Sequence, residues 1–296
     1  MSRTNRDSGA TETIALMGAG GKMGCRITDR IEDDTAYDVR YVEPSEQGQE
    51  RLADRGIEVT PEDDALDGAD VVIMAVPDEL MGSIAADVVP KLEEGTMVMC
   101  LDPAAAYAGQ LPESDGITYF VAHPCHPPLY EADRESVVAE GDDPDWFGGR
   151  GMAQQDVVCA LHTGPDEDYD RGEAIAGDIY APVRRTHRVS TEQMAILEPA
   201  LVETLMGSCL TAIREGMDEA VEMGVPEQAV RDMVMGHLRI EIAIIFGMTD
   251  FPFSDGAQKA VQNAMRDLFE DDWKERVFEM ENIQRSVEDI ATPDRN

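Results

Sequence analysis

The chain has 296 residues, 43% of them hydrophobic, with 24 Lys+Arg against 61 Asp+Glu and a formal net charge of −37. That length suits two modest domains or one large one, and the apolar share offsets enough ordering entropy to exclude a disordered chain. Nucleic acid and anionic membrane are excluded as partners, since both need a basic face, and the lack of any run of about 20 uncharged apolar residues predicts no membrane span.

Residues 1–12 are polar and carry no apolar signal core, which points to the cytoplasm. Residues 13–17 (TIALM) read as a buried strand running into GAGGKMG at 18–24. A helix follows to about Ile31, then a second strand over 37–43 (YDVRYVE). Further strands are predicted at 69–77 (ADVVIMAVP), 96–102 (TMVMCLD) and 118–122 (TYFVA), the last ending at His123-Pro124. Continuous apolar runs separated by helical spacers predict a Rossmann-type, doubly wound parallel α/β sheet buried on both faces.

From about residue 190 the pattern becomes helical. Met194, Leu197, Leu201, Leu205, Leu210, Ile213 and Met217 recur at helix spacing over 192–222, with Pro199 near the start. Residues 226–246 and 258–287 read as further helices, 141–150 as a loop and 292–296 as a frayed end. The expected organisation is a Rossmann-type domain over 13–189 and an all-helical domain over 190–290.

Four lysines (Lys22, Lys91, Lys259, Lys274) among so many carboxylates, with acids crowded at 32–34, 62–64, 142–143 and 270–272, predict a surface built for multimolar salt and a halophilic source. Cys25, Cys100, Cys125, Cys159 and Cys209 are scattered without C-x-x-C spacing, so reduced thiols are expected.

The cofactor residues are expected at the first strand–helix junction. Gly18, Ala19, Gly20, Gly21, Lys22, Met23 and Gly24 provide a tight turn, close backbone approach and a helix N-terminus suited to a dinucleotide pyrophosphate. The spacing is G-x-x-G-x-x-G, one residue longer than the usual fingerprint. Glu43 ends the second strand, where a carboxylate accepts the ribose hydroxyls and repels a 2′-phosphate, so NAD is expected. Pro77 and Asp78 end the next strand and should border the ribose–nicotinamide side.

The chemical residues are sought at later strand ends. His123, at the end of a parallel strand and locked by Pro124, is placed to take a hydroxyl proton as hydride leaves. His126 is a substrate or metal contact or an exposed side chain, and Cys125 reads as inert packing. Arg184, Arg185 and Arg188 flank His187, which should face the substrate. Either one arginine grips a substrate carboxylate, Arg184 being the candidate, or all pair with neighbouring acids. Glu198 interrupts an apolar helix face and is either paired or functional. His162 and His237 read as structural or surface residues.

GAGGKMG, VVIMAVPD and the His123-Pro124 step resemble the 6-phosphogluconate, 3-hydroxyacid and prephenate dehydrogenase superfamily. More narrowly, YFVAHPCHPPLY, APVRRTHRVSTEQMAILEPAL and FSDGAQKAV resemble the D-apionate oxidoisomerase family over nearly the whole chain. The resemblance implies NAD-dependent oxidation of a sugar acid coupled to a ketol rearrangement, of the D-apionate to 3-oxo-isoapionate type. A divalent metal such as zinc or magnesium would assist the shift as a Lewis acid, with His123 and Glu198 as ligands. It also implies a homodimer formed through the methionine-rich helices. The alternatives are a simple 2- or 3-hydroxyacid dehydrogenase without rearrangement, or a non-catalytic NAD-binding module.

Overall fold

The structure, a computed structural model, describes residues 11–129 and 153–292. The chain begins β1 (Glu12–Met17), α1 (Lys22–Ile31), β2 (Tyr37–Val42), α2 (Glu46–Ala53), α3 (Glu62–Leu66), β3 (Val71–Met74) and α4 (Asp78–Val88). It continues with β4 (Met97–Cys100), α5 (Ala104–Tyr107), β5 (Thr118–Pro124), β6 (Gln155–Thr163), α6 (Asp168–Ile179), β7 (Val183–Arg188) and α7 (Thr191–Ala195). A π-helical stretch, Ile196–Gly207, leads into α8 (Ser208–Glu222), α9 (Glu227–Ile245), α10 (Asp255–Leu268), α11 (Trp273–Phe278) and α12 (Met280–Ile290). The loop expected at 141–150 and Tyr130 of the HPCHPPLY segment lie outside the described residues, as do 293–296.

Among the described residues seven strands form one sheet, ordered β2-β1-β3-β4-β5-β6-β7. The first five run parallel, as the apolar runs require. Alternation along each strand sends side chains to opposite faces. Ile14, Leu16, Ile73, Met99 and Phe120 face one layer with Ile27 and Ile31 of α1 and Ile175 and Ile179 of α6. Ala15, Val72, Met74, Val98 and Val121 face the other, with Met81, Ala85 and Val88 of α4. Helices on both faces make the doubly wound Rossmann-type sheet.

Two strands and a helix lie beyond the elements read from sequence. Antiparallel β6 pairs with β5, and β7 runs parallel to β6 at the sheet edge. The sheet is therefore not wholly parallel. Strand β7 (VRRTHR) was illegible because an edge strand needs little apolar surface, and its residues are mostly exposed.

The chain divides into two compact units, Met1–Ala195 with Gln284–Asn296, and Ile196–Ile283. Against the expected ranges 13–189 and 190–290, α7 and the end of α12 group with the sheet. Met194 is part of the sheet's core. Val287 and Ala291 are buried, and the Gln110 amide donates to the Ala291 carbonyl at 3.0 Å.

In the second unit Pro199 lies inside the helical run, where it has no N–H to give and its ring crowds the preceding turn. The backbone there takes wider π-type bonding, a feature the helical period did not announce. Thr191–Glu222, 32 residues in all, is long and apolar enough to cross a membrane by length and composition. It contains no run of 20 uncharged apolar residues, because Glu192, Glu198, Glu203, Arg214, Glu215, Asp218, Glu219 and Glu222 interrupt it, so the expectation drawn from such runs stands beside this looser criterion.

Candidate functional site: a dinucleotide turn beside a histidine

The glycine turn follows β1. Gly18 takes φ +71°, and a Cβ there would overlap the Ala75 carbonyl at the end of β3. Only glycine combines that left-handed backbone with that approach. Gly24 sits on α1 so close to the turn that a Cβ would overlap the carbonyls of Gly18 and Ala19. The extra residue in the spacing thus moves the helix-packing glycine one place along without loosening the turn. Gly21 caps α1 with no side-chain partner, leaving the positive end of the helix dipole at the turn.

A groove of about 640 Å³ opens here, lined by Gly18, Gly20, Gly21, Glu43, Val76 and Pro77 among others. Its size and glycine floor suit part of a dinucleotide. Pro77 caps α4 and Asp78 is the first residue of that helix, so both stand at the carboxyl edge of β3 as expected. Glu43 is buried. One carboxylate oxygen accepts the Gly20 N–H at 2.9 Å, and the other accepts the Ser45 N–H at 2.9 Å and the Ser45 hydroxyl at 2.6 Å. The side chain expected to meet the ribose therefore also ties the turn to the end of β2.

His123 lies at the carboxyl end of β5. Its Nδ1 is 2.8 Å from the Leu101 carbonyl on the neighbouring chain segment. A carbonyl only accepts, so Nδ1 carries the proton and the basic lone pair is on Nε2. Asp102 stands beside it, with Oδ2 3.8 Å from Nδ1 and Oδ1 accepting the Ala104 N–H at 2.7 Å. Burial raises the Asp102 pKa, opposed by the Ala104 N–H and by His123. His126 takes φ +58°, uncommon for a residue with a Cβ, and its ring stands edge-on to His123 at 6.2 Å between centroids.

The basic cluster behaves differently. Arg184 closes its fork on Asp156, Nε to Oδ1 at 3.0 Å and Nη2 to Oδ2 at 2.6 Å, and holds that carboxyl below the usual range. Arg185 is 3.9 Å from the same carboxylate. Arg188 pairs with Asp166 and lies 4.1 Å over the Tyr169 ring. Of the two readings open for this cluster, the ion pairs are the ones present. His187 is exposed on β7, in the register row His123–Val158–His187, two strand spacings or roughly 10 Å from His123. Glu198 lies in the π-helical stretch of the second unit.

His162 bonds Thr191 Oγ1 at 3.1 Å near the opposite sheet end, and His237 bonds its own helix at the Met233 carbonyl. The Cys125 thiol is pushed up by burial and by Asp156, opposite to an activated nucleophile.

A family model described as acetohydroxy acid isomeroreductase, NADPH-binding domain, matches residues 10–127, and one described as phosphogluconate dehydrogenase (decarboxylating) C-term matches 135–291. A D-apionate oxidoisomerase of Rhizobium rhizogenes is 48% identical over 279 residues, 94% of this chain and 99% of that one. A second, from Cupriavidus necator, is 46% identical and covers 95% and 99% respectively. The chain belongs to the D-apionate oxidoisomerase family. A solved Cupriavidus necator structure, described as a semialdehyde dehydrogenase NAD-binding protein in complex with calcium and NAD, superposes with TM-score 0.88 at 46% identity. It covers 95% of this chain and all of that one.

Two side chains of this family member escaped the sequence reading. Asp102 had a signal, since it is an acid just past a strand end before a proline, the kind of place that drew attention to Glu43 and Asp78. Arg51 had none. It lies on the exposed side of α2, and its Nη1 donates to the Gly20 carbonyl at 2.5 Å, a contact set by tertiary packing alone.

Proposed function

We propose that this chain oxidises a carbinol of a branched sugar acid of the D-apionate kind with NAD as acceptor, and couples the oxidation to a ketol rearrangement giving a 3-oxo-isoapionate-type product. The observation that carries this reading is His123 itself: at the same sheet edge as the glycine turn, its Nδ1 is held by the Leu101 carbonyl so that Nε2 is the basic atom. The family membership and the NAD complexed in the Cupriavidus necator structure support it.

NAD, when bound, takes the hydride from the carbinol carbon. His123 Nε2 takes the hydroxyl proton, and the Leu101 carbonyl keeps the ring in the right tautomer throughout. The new ketone then stands beside a tertiary alcohol. In the rearrangement that alcohol loses its proton and becomes a carbonyl. Its bond to a hydroxymethyl carbon breaks, the same carbon bonds to the former ketone carbon, and the ketone oxygen takes up the proton. Atoms and electrons balance without a second oxidant, and the His123 imidazolium is a proton source within the site.

A divalent ion such as zinc or magnesium would act there as a Lewis acid on the substrate's oxygens. We assign its ligands to His123 and Glu198, with Asp102 as a further oxygen donor. A nitrogen with carboxylate oxygens suits such ions, and a carboxyl whose pKa is raised by burial gains from a nearby cation. The two assignments to His123 are therefore alternatives: with no ion on it Nε2 is the base, and with an ion bound there the ring would be its ligand and the ion would acidify the hydroxyl. His126, whose backbone is strained three residues after His123, and His187 on the same register row are assigned to the substrate side.

We also read the chain as a cytoplasmic homodimer adapted to high salt. In the helical unit Leu210, Met233, Met235, Phe246, Phe251 and Leu268 are all substantially exposed. Soluble monomers rarely leave so much apolar surface open, and a second copy covers it without any new chemistry.

The test is a screen of sugar acids for NAD reduction in multimolar potassium chloride, with the product skeleton solved by carbon NMR and a chelator arm in parallel. NADH formation with a rearranged skeleton is expected. Oxidation with an unchanged skeleton would overturn the rearrangement, and full turnover in chelator would overturn the metal.

A further inference from the structure

Residue Gly20 of the cofactor turn is held from both ends. Its N–H donates to Glu43 at 2.9 Å, and its carbonyl accepts from Arg51 Nη1 at 2.5 Å. Helix α2 brings Arg51 there because it approaches without side chains in the way. A Cβ on Gly20 would overlap the Gly48 backbone, and a Cβ on Gly48 would overlap the Glu43 carboxyl group. Ser45 caps α2 through the Gly48 N–H at 3.1 Å while donating to Glu43, so cap, acid and turn form one hydrogen-bonded knot.

A glycine has the most backbone freedom of any residue, and freezing it when a ligand binds costs affinity. Glu43 alone fixes one peptide of Gly20. The next peptide, leading into Gly21 and the start of α1, is held on its N–H side by the Gly18 carbonyl at 3.0 Å and on its carbonyl side by Arg51. We propose that Arg51 is a positioning residue for the dinucleotide: by holding the Gly20 carbonyl it keeps the turn in its binding shape before the pyrophosphate arrives. The proposal rests on the reading that this turn holds NAD. Arg51 also lines the adenosine-side groove, so a direct contact with phosphate is the competing role.

The experiment compares wild type, Arg51→Met and Arg51→Lys in the full-length protein. It measures NAD and adenosine affinity at low and multimolar potassium chloride, together with kcat and KM. Loss of one charge-assisted hydrogen bond should raise the Kd and KM for NAD by about tenfold in Arg51→Met, with kcat unchanged. Arg51→Lys should recover part of the loss. Adenosine, which lacks the pyrophosphate, should bind both variants nearly as wild type does. The loss should be the same at both salt concentrations, because it comes from turn geometry.

A loss that disappears in high salt would mean a direct ion pair with phosphate and overturn positioning. Equal loss for NAD and adenosine would mean a damaged pocket, and wild-type NAD affinity in Arg51→Met would mean no role; either overturns it. A wild-type protein that binds no NAD would instead overturn the reading of the turn on which the proposal stands.

Discussion

The two units of this chain solve the burial problem in opposite ways. In the sheet unit, Ile14, Leu16, Val71, Ile73, Val98 and Phe120 have no exposed surface at all, because helices of the same unit cover both sheet faces. In the helical unit, α8, α10 and α11 bury no residue, and α9 buries only Val230. In that 19-residue helix Val230 is buried and Val234, Leu238, Ile242, Ala243 and Ile244 are half-buried, so its packing within the chain is partial, and most helical stability in proteins comes from packing an amphipathic face. The sheet covers its apolar faces with its own helices, whereas the helical unit leaves Met233, Phe246 and Leu268 exposed, the surface that the proposed second copy would cover.

The most damaging way to break that contrast is to make the apolar helix face polar. Leu210→Asp with Ile213→Asp places two charges where side chains 48% and 39% exposed would be covered in a homodimer. Each side chain is already half-covered, so each lost burial is worth about 1 kcal/mol, and with both positions on both protomers dimer affinity should fall by more than about a hundredfold. Light scattering after gel filtration should show a monomer, with helical signal lost in the same sample. An unchanged dimer would sink the proposed interface. Recovery of wild-type protein on lipid vesicles would turn the long apolar helix into a membrane element.

His123→Ala sharpens the same comparison from the sheet side. Its effect should be local. Removing a general base typically lowers turnover by about 10²–10⁴-fold, while NAD affinity and dimer mass stay at wild-type values, since the glycine turn and the helical unit are untouched. Steady-state kinetics beside an NAD titration checks this. Equal losses of cofactor binding and turnover would show that the ring supports structure instead of chemistry.

How much was legible follows from the same physics. Strands β3 and β4 announce themselves because a strand buried on both faces must be apolar at every position, as in VVIM and MVMC, whereas β2 (YDVRYV), at the sheet edge with Asp38 exposed, is legible from its place after the glycine turn and helix. The glycine turn is legible because close backbone approach leaves no other residue type available. Strand β6 alternates between buried and half-exposed positions, and β7 is an edge written almost entirely in charge, so neither carries that signature. The site divides the same way. His123 is visible as an imidazole at a strand end, but Asp102 and Arg51 matter through contacts with Leu101–His123 and Gly20 that no local pattern encodes. The cluster at 184–188 was ambiguous for a related reason: a bidentate arginine looks the same in sequence whether its carboxylate is a ligand's or the protein's own.

Arg184→Ala tests that last ambiguity and carries the smallest expected effect. The side chain is 36% exposed and Asp156 15%, so solvent screens the pair and its contribution is below about 1 kcal/mol. Arg184 lowers the Asp156 pKa chiefly through their hydrogen bond, with burial opposing. A carboxyl depressed in the folded state stabilises it above the unfolded value of ~3.9 and loses that contribution as pH falls through the folded value. The variant should therefore melt slightly below wild type from neutral pH down to about 5, and the gap should close in stronger acid. Turnover should change less than about twofold, because a fork already closed on Asp156 holds no substrate. A large rise in substrate KM, with the melting gap unchanged by pH, would return Arg184 to the substrate and make the ion pair a resting state of the binding group.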